Sequence, residues 1–157
     1  MGELLSLGEA RSLRQALRRD GKTLVFTNGH FDLLHVGHLD YLEQARTLGD
    51  ALFVGLNGDA STRRLKGEGR PLVPEGQRAR LLAALAPVSA VIIFDADTAA
   101  ELILALKPEI YAKGGDYAEK PLPERAAVEA YGGRVELLEF QSGLSTTRLI
   151  EKIRKLP

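Results

Sequence analysis

Apolar positions along this chain follow two rhythms that alternate from residue 22 to the end. Short runs rich in β-branched and aromatic side chains, at Lys22–Asn28, Ala51–Asn57, Val88–Phe94, Glu109–Lys113 and Arg134–Phe140, predict strands. Segments of helical period lie between them, at about 36–48, 75–86, 97–106 and 122–131, punctuated by Gly49, Pro87 and Gly132. A leading helix near 8–19, with Leu13 and Leu17 on one face, ends at Gly21, and a closing helix occupies about 145–155. Strands alternating with crossover helices predict a parallel sheet. The expected architecture is a single doubly wound, Rossmann-like α/β domain: a core at 22–157 with a five-stranded parallel sheet and helices on both faces, preceded by a helical extension at 1–21. Ligands of such sheets bind beyond the carboxyl ends of strands, where strand order reverses. Attention therefore falls on the loops after Asn28, Asn57 and Lys113, and on a Gly- and Pro-bearing loop at Gly67–Gly76.

Composition narrows the chemistry. The 157 residues suit one hydrophobic core, and 45% hydrophobic with 27% charged residues is ordinary for a soluble protein. No apolar run approaches the roughly 20 residues of a membrane span, and the N-terminus lacks the succession of a secretory signal. A cytoplasmic protein with no membrane partner is expected. The absence of cysteine excludes disulfides, thiolate zinc sites and cysteine nucleophiles. Lys plus Arg equals Asp plus Glu at 21 each, so no global field recruits nucleic acid.

The candidate chemistry sits directly after the first of these strands. All 3 histidines, His30, His35 and His38, fall between residues 30 and 38. His35 and His38 are three apart at the start of the next helix, so both rings can face one side of its N-terminus, and Gly37 between them permits a close approach. Unpaired N–H groups at that helix start, with the Asn28-Gly29 turn ahead of it, favour phosphate. Two imidazoles there can hydrogen-bond phosphate oxygens and stabilise charge that grows during transfer. The other readings are a capping or loop-packing role and a metal site, the latter weakened because no His-Glu-x-x-His pattern is present. No Walker A or Gly-x-Gly-x-x-Gly sequence follows this strand.

Three further segments offer anion-binding groups. Ser145-Thr146-Thr147 opens the last helix with an N-cap serine and two more hydroxyls. The run from Asp59 through Arg63, Arg64, Lys66 and Arg70 reads as a basic loop, either a solvated surface or a triphosphate contact through Lys66 and Arg78. Lys113-Gly114-Gly115-Asp116-Tyr117 ends a strand in two glycines, a plain turn or a place where backbone approaches ligand.

The string Thr27-Asn28-Gly29-His30-Phe31-Asp32-Leu33-Leu34-His35-Val36-Gly37-His38 resembles the nucleotide-binding signature of the cytidylyltransferase-like nucleotidyltransferases, whose mark is His-x-Gly-His. Leu144 to Arg148 resembles that family's second signature. The Lys113 to Tyr117 string and the basic run are similar to the adenylyltransferase domain of the bifunctional ADP-heptose synthases. The resemblance runs from about Leu24 to Arg154, with two departures: His30 stands where Val or Thr is expected, and the sugar-kinase half of those enzymes is not present, so a separate sugar kinase is expected. The resemblance implies adenylyl transfer from ATP, with Mg2+, to a sugar 1-phosphate. His35, His38 and Lys66 are the implied catalytic residues. Thr27, Asn28, Gly29, His30, Phe31, Asp32, Gly37, Asp59, Arg78, Lys113, Gly114, Gly115, Asp116, Ser145, Thr146 and Thr147 are the implied nucleotide contacts. Asp32 and Asp59 order the loop or help hold ribose and Mg2+, no metal site of the protein's own is expected, and the protein is expected to be a homodimer. The alternative is a cytidylyltransferase using CTP and glycerol 3-phosphate or ethanolamine phosphate.

Overall fold

The structure, a computed structural model, describes residues 1–115, 120–139 and 143–157. Its strands are β1 (Glu3–Leu4), β2 (Leu24–Gly29), β3 (Ala51–Asn57), β4 (Ala90–Phe94), β5 (Ile110–Gly114) and β6 (Arg134–Leu138). Its helices are α1 (Leu7–Arg19), α2 (Val36–Thr47), α3 (Asp59–Lys66), α4 (Glu75–Ala84), α5 (Ala100–Leu106), α6 (Arg125–Glu129) and α7 (Thr146–Arg154). The strands form one parallel sheet in the order β1-β4-β3-β2-β5-β6.

Alternation along each strand divides the core between the two faces of the sheet. Val25, Leu52, Val54 and Leu56 join Tyr41, Leu42 and Ala45 of α2 and Ala79, Leu82 and Ala83 of α4 on one face. Leu24, Phe26 and Phe53 meet Ala10 of α1, Leu102, Ile103 and Leu106 of α5 and Val128 of α6 on the other. All residues of β3 are buried, which is why that strand reads as a continuous apolar run.

The sheet has six strands, where the pattern predicted five. Glu3 and Leu4 align with Ala90 and Val91 of β4, so part of the expected helical extension is an edge strand. Two exposed residues leave no alternation to detect. The basic segment expected as a loop is in part helix α3, whose only buried residues are Ser61 and Thr62. With hydroxyls rather than aliphatic side chains at its buried positions, the segment reads as polar throughout. The fifth predicted strand ends earlier, at Leu138, and Phe140 lies outside the described residues.

From β2 the chain steps outward through β3 and β4, then returns to lay β5 on the other side of β2 and β6 beyond it. The loops leaving β2 and β5 therefore diverge from neighbouring strands and open a crevice between them.

Behind that crevice, Arg14 ties the far ends of the elements together. It is 3% exposed, and its Nε and Nη2 donate to the carbonyls of Leu106 and Lys107 at 3.0 and 2.9 Å. It also pairs with Glu109, whose other carboxylate oxygen accepts the Leu24 amide at 2.8 Å. One guanidinium thus joins α1, the end of α5 and the starts of β2 and β5. Replacing Arg14 by Met should cost about 2 kcal/mol, chiefly by leaving the Leu106 carbonyl without its side-chain donor and Glu109 without its cation. Urea denaturation measures this, and a loss under about 1 kcal/mol would show that the contacts are solvent-replaceable.

Candidate active site

The site grows from the carboxyl end of β2. Thr27 is fully buried, with its hydroxyl 2.6 Å from that of Tyr41, which donates to the Ala112 carbonyl at 3.0 Å. This chain links β2, α2 and β5. Beyond it, Asn28 Oδ1 accepts from the Tyr111 hydroxyl at 2.6 Å, and Lys113 Nζ donates to the Asn28 carbonyl at 3.0 Å. The backbone then turns sharply at Phe31, whose φ of 46° is left-handed in a buried residue.

That turn brings the imidazoles to the start of α2. The rings of His35 and His38 stack with centroids 3.9 Å apart, and Phe31 lies against His38 at 5.2 Å. The His35 amide donates to Nδ1 of His38 at 3.4 Å, which leaves the proton of a neutral His38 on Nε2. Burial, with His35 beside it, pushes His38 down to about 4, and burial lowers His35. At neutral pH both rings are therefore uncharged hydrogen-bonding groups. Space at Gly37 is tight in this arrangement: a Cβ there would lie 3.1 Å from the His35 ring and 3.2 Å from Leu144. The close approach that Gly37 permits is thus made by the protein itself.

Facing the imidazoles is the start of α7. Ser145 caps it, accepting from the Arg148 amide at 3.1 Å, and Thr146 Oγ1 reaches the Leu33 carbonyl at 3.4 Å, tying the two signature segments together. Between them lies a cavity of about 750 Å3. Of the residues predicted from sequence, His30, Phe31, Asp32, His35, His38 and Lys66 line it, as do Gly114, Gly115, Ser145, Thr146 and Thr147. A smaller cavity of about 300 Å3 adjoins it, reached by Asn28, Gly29 and Lys113. Asp116 and Tyr117 lie outside the described residues.

Cations dominate the walls. Arg70, Lys120 and Arg148 line the larger cavity with Lys66. Arg148 closes the second signature segment without having been assigned a contact, whereas Lys120 carries no local signal. Burial pushes His30 down to about 4, helped by the charges of Lys66, Lys113, Arg78 and Arg70. Burial also lowers the Lys113 ammonium, with Glu124 opposing and Lys66 adding to the effect.

Three expected contacts have other geometry. Arg78 has no exposed surface, lines neither cavity, and donates to the carbonyls of Val73, His30 and Asn57 at 2.7, 2.6 and 2.8 Å while pairing with Asp59 at 2.7 Å. Its guanidinium is consumed as a brace. Asp59 also accepts the Glu75 amide at 2.9 Å while Glu75 accepts its amide at 2.6 Å, joining the starts of α3 and α4. Thr27 is likewise a structural link behind the cavity wall.

Asp32, 4% exposed, accepts from Arg70 Nε at 2.7 Å and from the Leu72 and Val73 amides at 2.9 Å. Burial raises its carboxyl, but those two amides and Arg70 outweigh it and hold it below the usual carboxylate value. Asp32 and Asp59 are thus both engaged by protein donors, and among the described residues no three His, Asp or Glu side chains are grouped to hold a metal ion by themselves. No helix among the described residues is long and apolar enough to cross a membrane.

A parallel α/β sheet sets paired imidazoles and two helix N-termini around a cationic crevice, an arrangement whose donors suit phosphate groups. The chain belongs to the cytidylyltransferase-like family of nucleotidyltransferases, whose model matches residues 26–152. It is 59% identical over 141 residues to bifunctional protein HldE of Pelobacter propionicus, covering 90% of this chain and 29% of that protein. With HldE of Geotalea uraniireducens it shares 55% identity over 152 residues, 97% of this chain and 31% of the relative. The chain thus spans about three tenths of these relatives' length. Among solved structures, a lipopolysaccharide core biosynthesis protein from Thermoplasma volcanium superposes with a TM-score of 0.64 at 28% identity, over 79% of this chain and 100% of that one.

Two outcomes follow from this geometry. Imidazole NMR titration should place His30 and His38 near 4, far below the ordinary 6.5. Because the unfolded chain takes up these protons first, their contribution to stability is complete above about 6.5 and declines as pH falls from there toward 4. Midpoints near 6.5 for both rings would contradict the burial described. Replacing Arg78 by Met should cost about 3 kcal/mol or more in urea denaturation, and Lys at that position should recover little because it lacks the planar fork. A variant of near-native stability would sink the bracing role.

Proposed function

We propose that this chain transfers AMP from ATP to D-glycero-β-D-manno-heptose 1-phosphate, giving ADP-heptose and pyrophosphate, on a doubly wound Rossmann-like sheet. The observation that carries the reading is the stacked, neutral His35–His38 pair at the start of α2, set across a cationic cavity from the start of α7. The sugar and the base are supported by the extended similarity to HldE proteins and by the subfamily resemblance of the Lys113-Gly114-Gly115 string and the basic segment. Similarity to a lipopolysaccharide core biosynthesis protein agrees with a sugar phosphate as acceptor.

The acceptor phosphate, with a second pKa of about 6, is an ionised nucleophile at neutral pH and needs no general base. Its oxygen attacks the α-phosphorus, a new P–O bond forms, and the bond to the β-phosphate breaks to release pyrophosphate. Catalysis is then positioning and charge stabilisation. Nε2 of His38, with His35 stacked on it, donates to the oxygens on which charge grows. Lys66 and Arg70 offset the triphosphate, and the hydroxyls and amides of Ser145 to Thr147 receive its phosphates. Asn28, Gly29, Gly114 and Gly115 bring backbone against the ligand. Mg2+ enters as a companion of ATP, carried by the phosphates. The sugar's C1 phosphate comes from a kinase activity outside these 157 residues. The reading also takes the protein to be a cytoplasmic homodimer.

Pyrophosphate release, with ATP and CTP crossed against heptose 1-phosphate, glycerol 3-phosphate and ethanolamine phosphate, should appear only for ATP with the heptose. Release with CTP alone would replace the substrate assignment by a cytidylyltransferase. In the same assay, His38→Ala should cut turnover by about 10²–10³ with circular dichroism unchanged, and unaltered turnover would remove the imidazole from the mechanism.

A further inference from the structure

Just beyond β2 the chain holds an aromatic side chain in an uncommon conformation. Phe31 has a φ of 46°, in the left-handed region that a buried aromatic residue seldom enters, and such a turn persists only where its surroundings impose it. Here both neighbours are clamped. The His30 carbonyl accepts from the buried Arg78 at 2.6 Å, and the Asp32 carboxylate accepts from Arg70 and from the Leu72 and Val73 amides. Room for the ring comes from Gly29, where a Cβ would lie 3.0 Å from the Phe31 ring. The fold thus forces this side chain into one place, 6% exposed, with its ring centroid 5.2 Å from that of His38.

That place matters because neither imidazole is firmly oriented by hydrogen bonds. A working histidine is commonly held by a carboxylate or a backbone carbonyl on its second ring nitrogen. Nδ1 of His35 is buried without a hydrogen-bond partner among the described residues, and Nδ1 of His38 has only the His35 amide at 3.4 Å, beyond the usual range. So long a contact assigns the proton of His38 to Nε2 but holds the plane of the ring only weakly. Ring contacts are what remain: His35 stacked at 3.9 Å and Phe31 tilted by 53° against it. His35 is itself unanchored through Nδ1, whereas Phe31 is fixed from both sides.

We propose that Phe31 is a positioning residue for His38, its ring acting as a rigid wall that fixes the plane of the imidazole in place of a hydrogen-bonded carboxylate or carbonyl. The effect on catalysis rests on the nucleotidyl-transfer reading, whereas the orientation of the ring does not. Leucine here would fill space without a flat face. Glycine would suit the left-handed backbone while removing the wall, so loss of the ring can be separated from strain in the turn.

The test places Phe31→Gly, Phe31→Leu and Phe31→Tyr in the wild-type and the His38→Ala background, with whichever phosphate acceptor supports turnover in the wild type. In the wild-type background the glycine and leucine variants should lower kcat about ten- to a hundredfold with KM for both substrates within about threefold, as misplacement of a donor does. The tyrosine variant keeps the flat face and should keep most of the rate. In the His38→Ala background, loss of the ring should lower kcat no further, since it acts through the imidazole. A rise in KM at unchanged kcat would make Phe31 a ligand contact, and an equal proportional loss in both backgrounds would make it a core filler; either overturns the proposal. Long-range nitrogen–proton NMR of the ligand-free protein at neutral pH reads the ring without any substrate. His38 should be a single Nε2–H tautomer in the wild type and Phe31→Tyr, and a mixture of tautomers in Phe31→Gly and Phe31→Leu. An unchanged tautomer in Phe31→Gly counts equally against the proposal. If Phe31→Leu fails to fold by circular dichroism, Phe31→Gly decides. A wild-type panel without turnover would remove the nucleotidyl-transfer reading and leave the tautomer comparison to decide the role of Phe31.

Discussion

Burying a guanidinium with no exposed surface is costly unless each face of its fork finds an acceptor, and Arg78 finds three carbonyls and a carboxylate. Two of those carbonyls belong to His30, directly after β2, and Asn57, the last residue of β3, and the carboxylate is that of Asp59, which opens α3. The brace therefore fixes the loops at adjacent strand ends, from which the imidazole cluster and Lys66 depart. Asp32 does the same one layer outward, gathering Arg70 and the Leu72 and Val73 amides under the cavity. Rigid support of this sort is what a site that works by positioning requires, since small displacements of a donor cost much of its effect.

Much of the fold was legible because the central strands are buried on both faces and announce themselves as apolar runs. β3 is the plainest case, and β2, β4 and β5 were placed within two residues. β1 was hidden by being two residues long, and α3 because its buried positions are Ser61 and Thr62 rather than aliphatic. Its helicity is held by the cap exchange with Glu75, a tertiary interaction that no local period reports.

The site divides along similar lines. Three histidines close in sequence, two glycines after a strand and a Ser-Thr-Thr helix start are local patterns, and the structure brings them to one crevice. Arg78 and Arg70 are both arginines in one charged region, yet one braces the fold and the other faces the cavity. Residue type cannot separate these roles, because a guanidinium satisfies backbone carbonyls and phosphate with the same donors. Lys120 belongs to no local sequence pattern, so its place at the cavity is a tertiary fact.

The electrostatics of the crevice favour uncharged imidazoles, the state that the proposed function requires. Total charge is balanced at 21 of each sign, yet Lys66, Arg70, Lys120 and Arg148 converge on one cavity. Among the described residues only Arg70 of these has a carboxylate partner, Asp32. A protonated His38 would add charge to this excess and would lose the hydrogen bond its Nδ1 accepts from the His35 amide. Neutral rings instead offer directed N–H donors without raising the self-repulsion of the ligand-free site. Under the proposed function the lysines and arginines would attract a polyanion over distance, and the imidazoles and helix amides would supply geometry at the reacting oxygens. Separating these tasks would let the fold hold its donors fixed before the anion arrives, with the reorganisation needed to stabilise the transition state already complete.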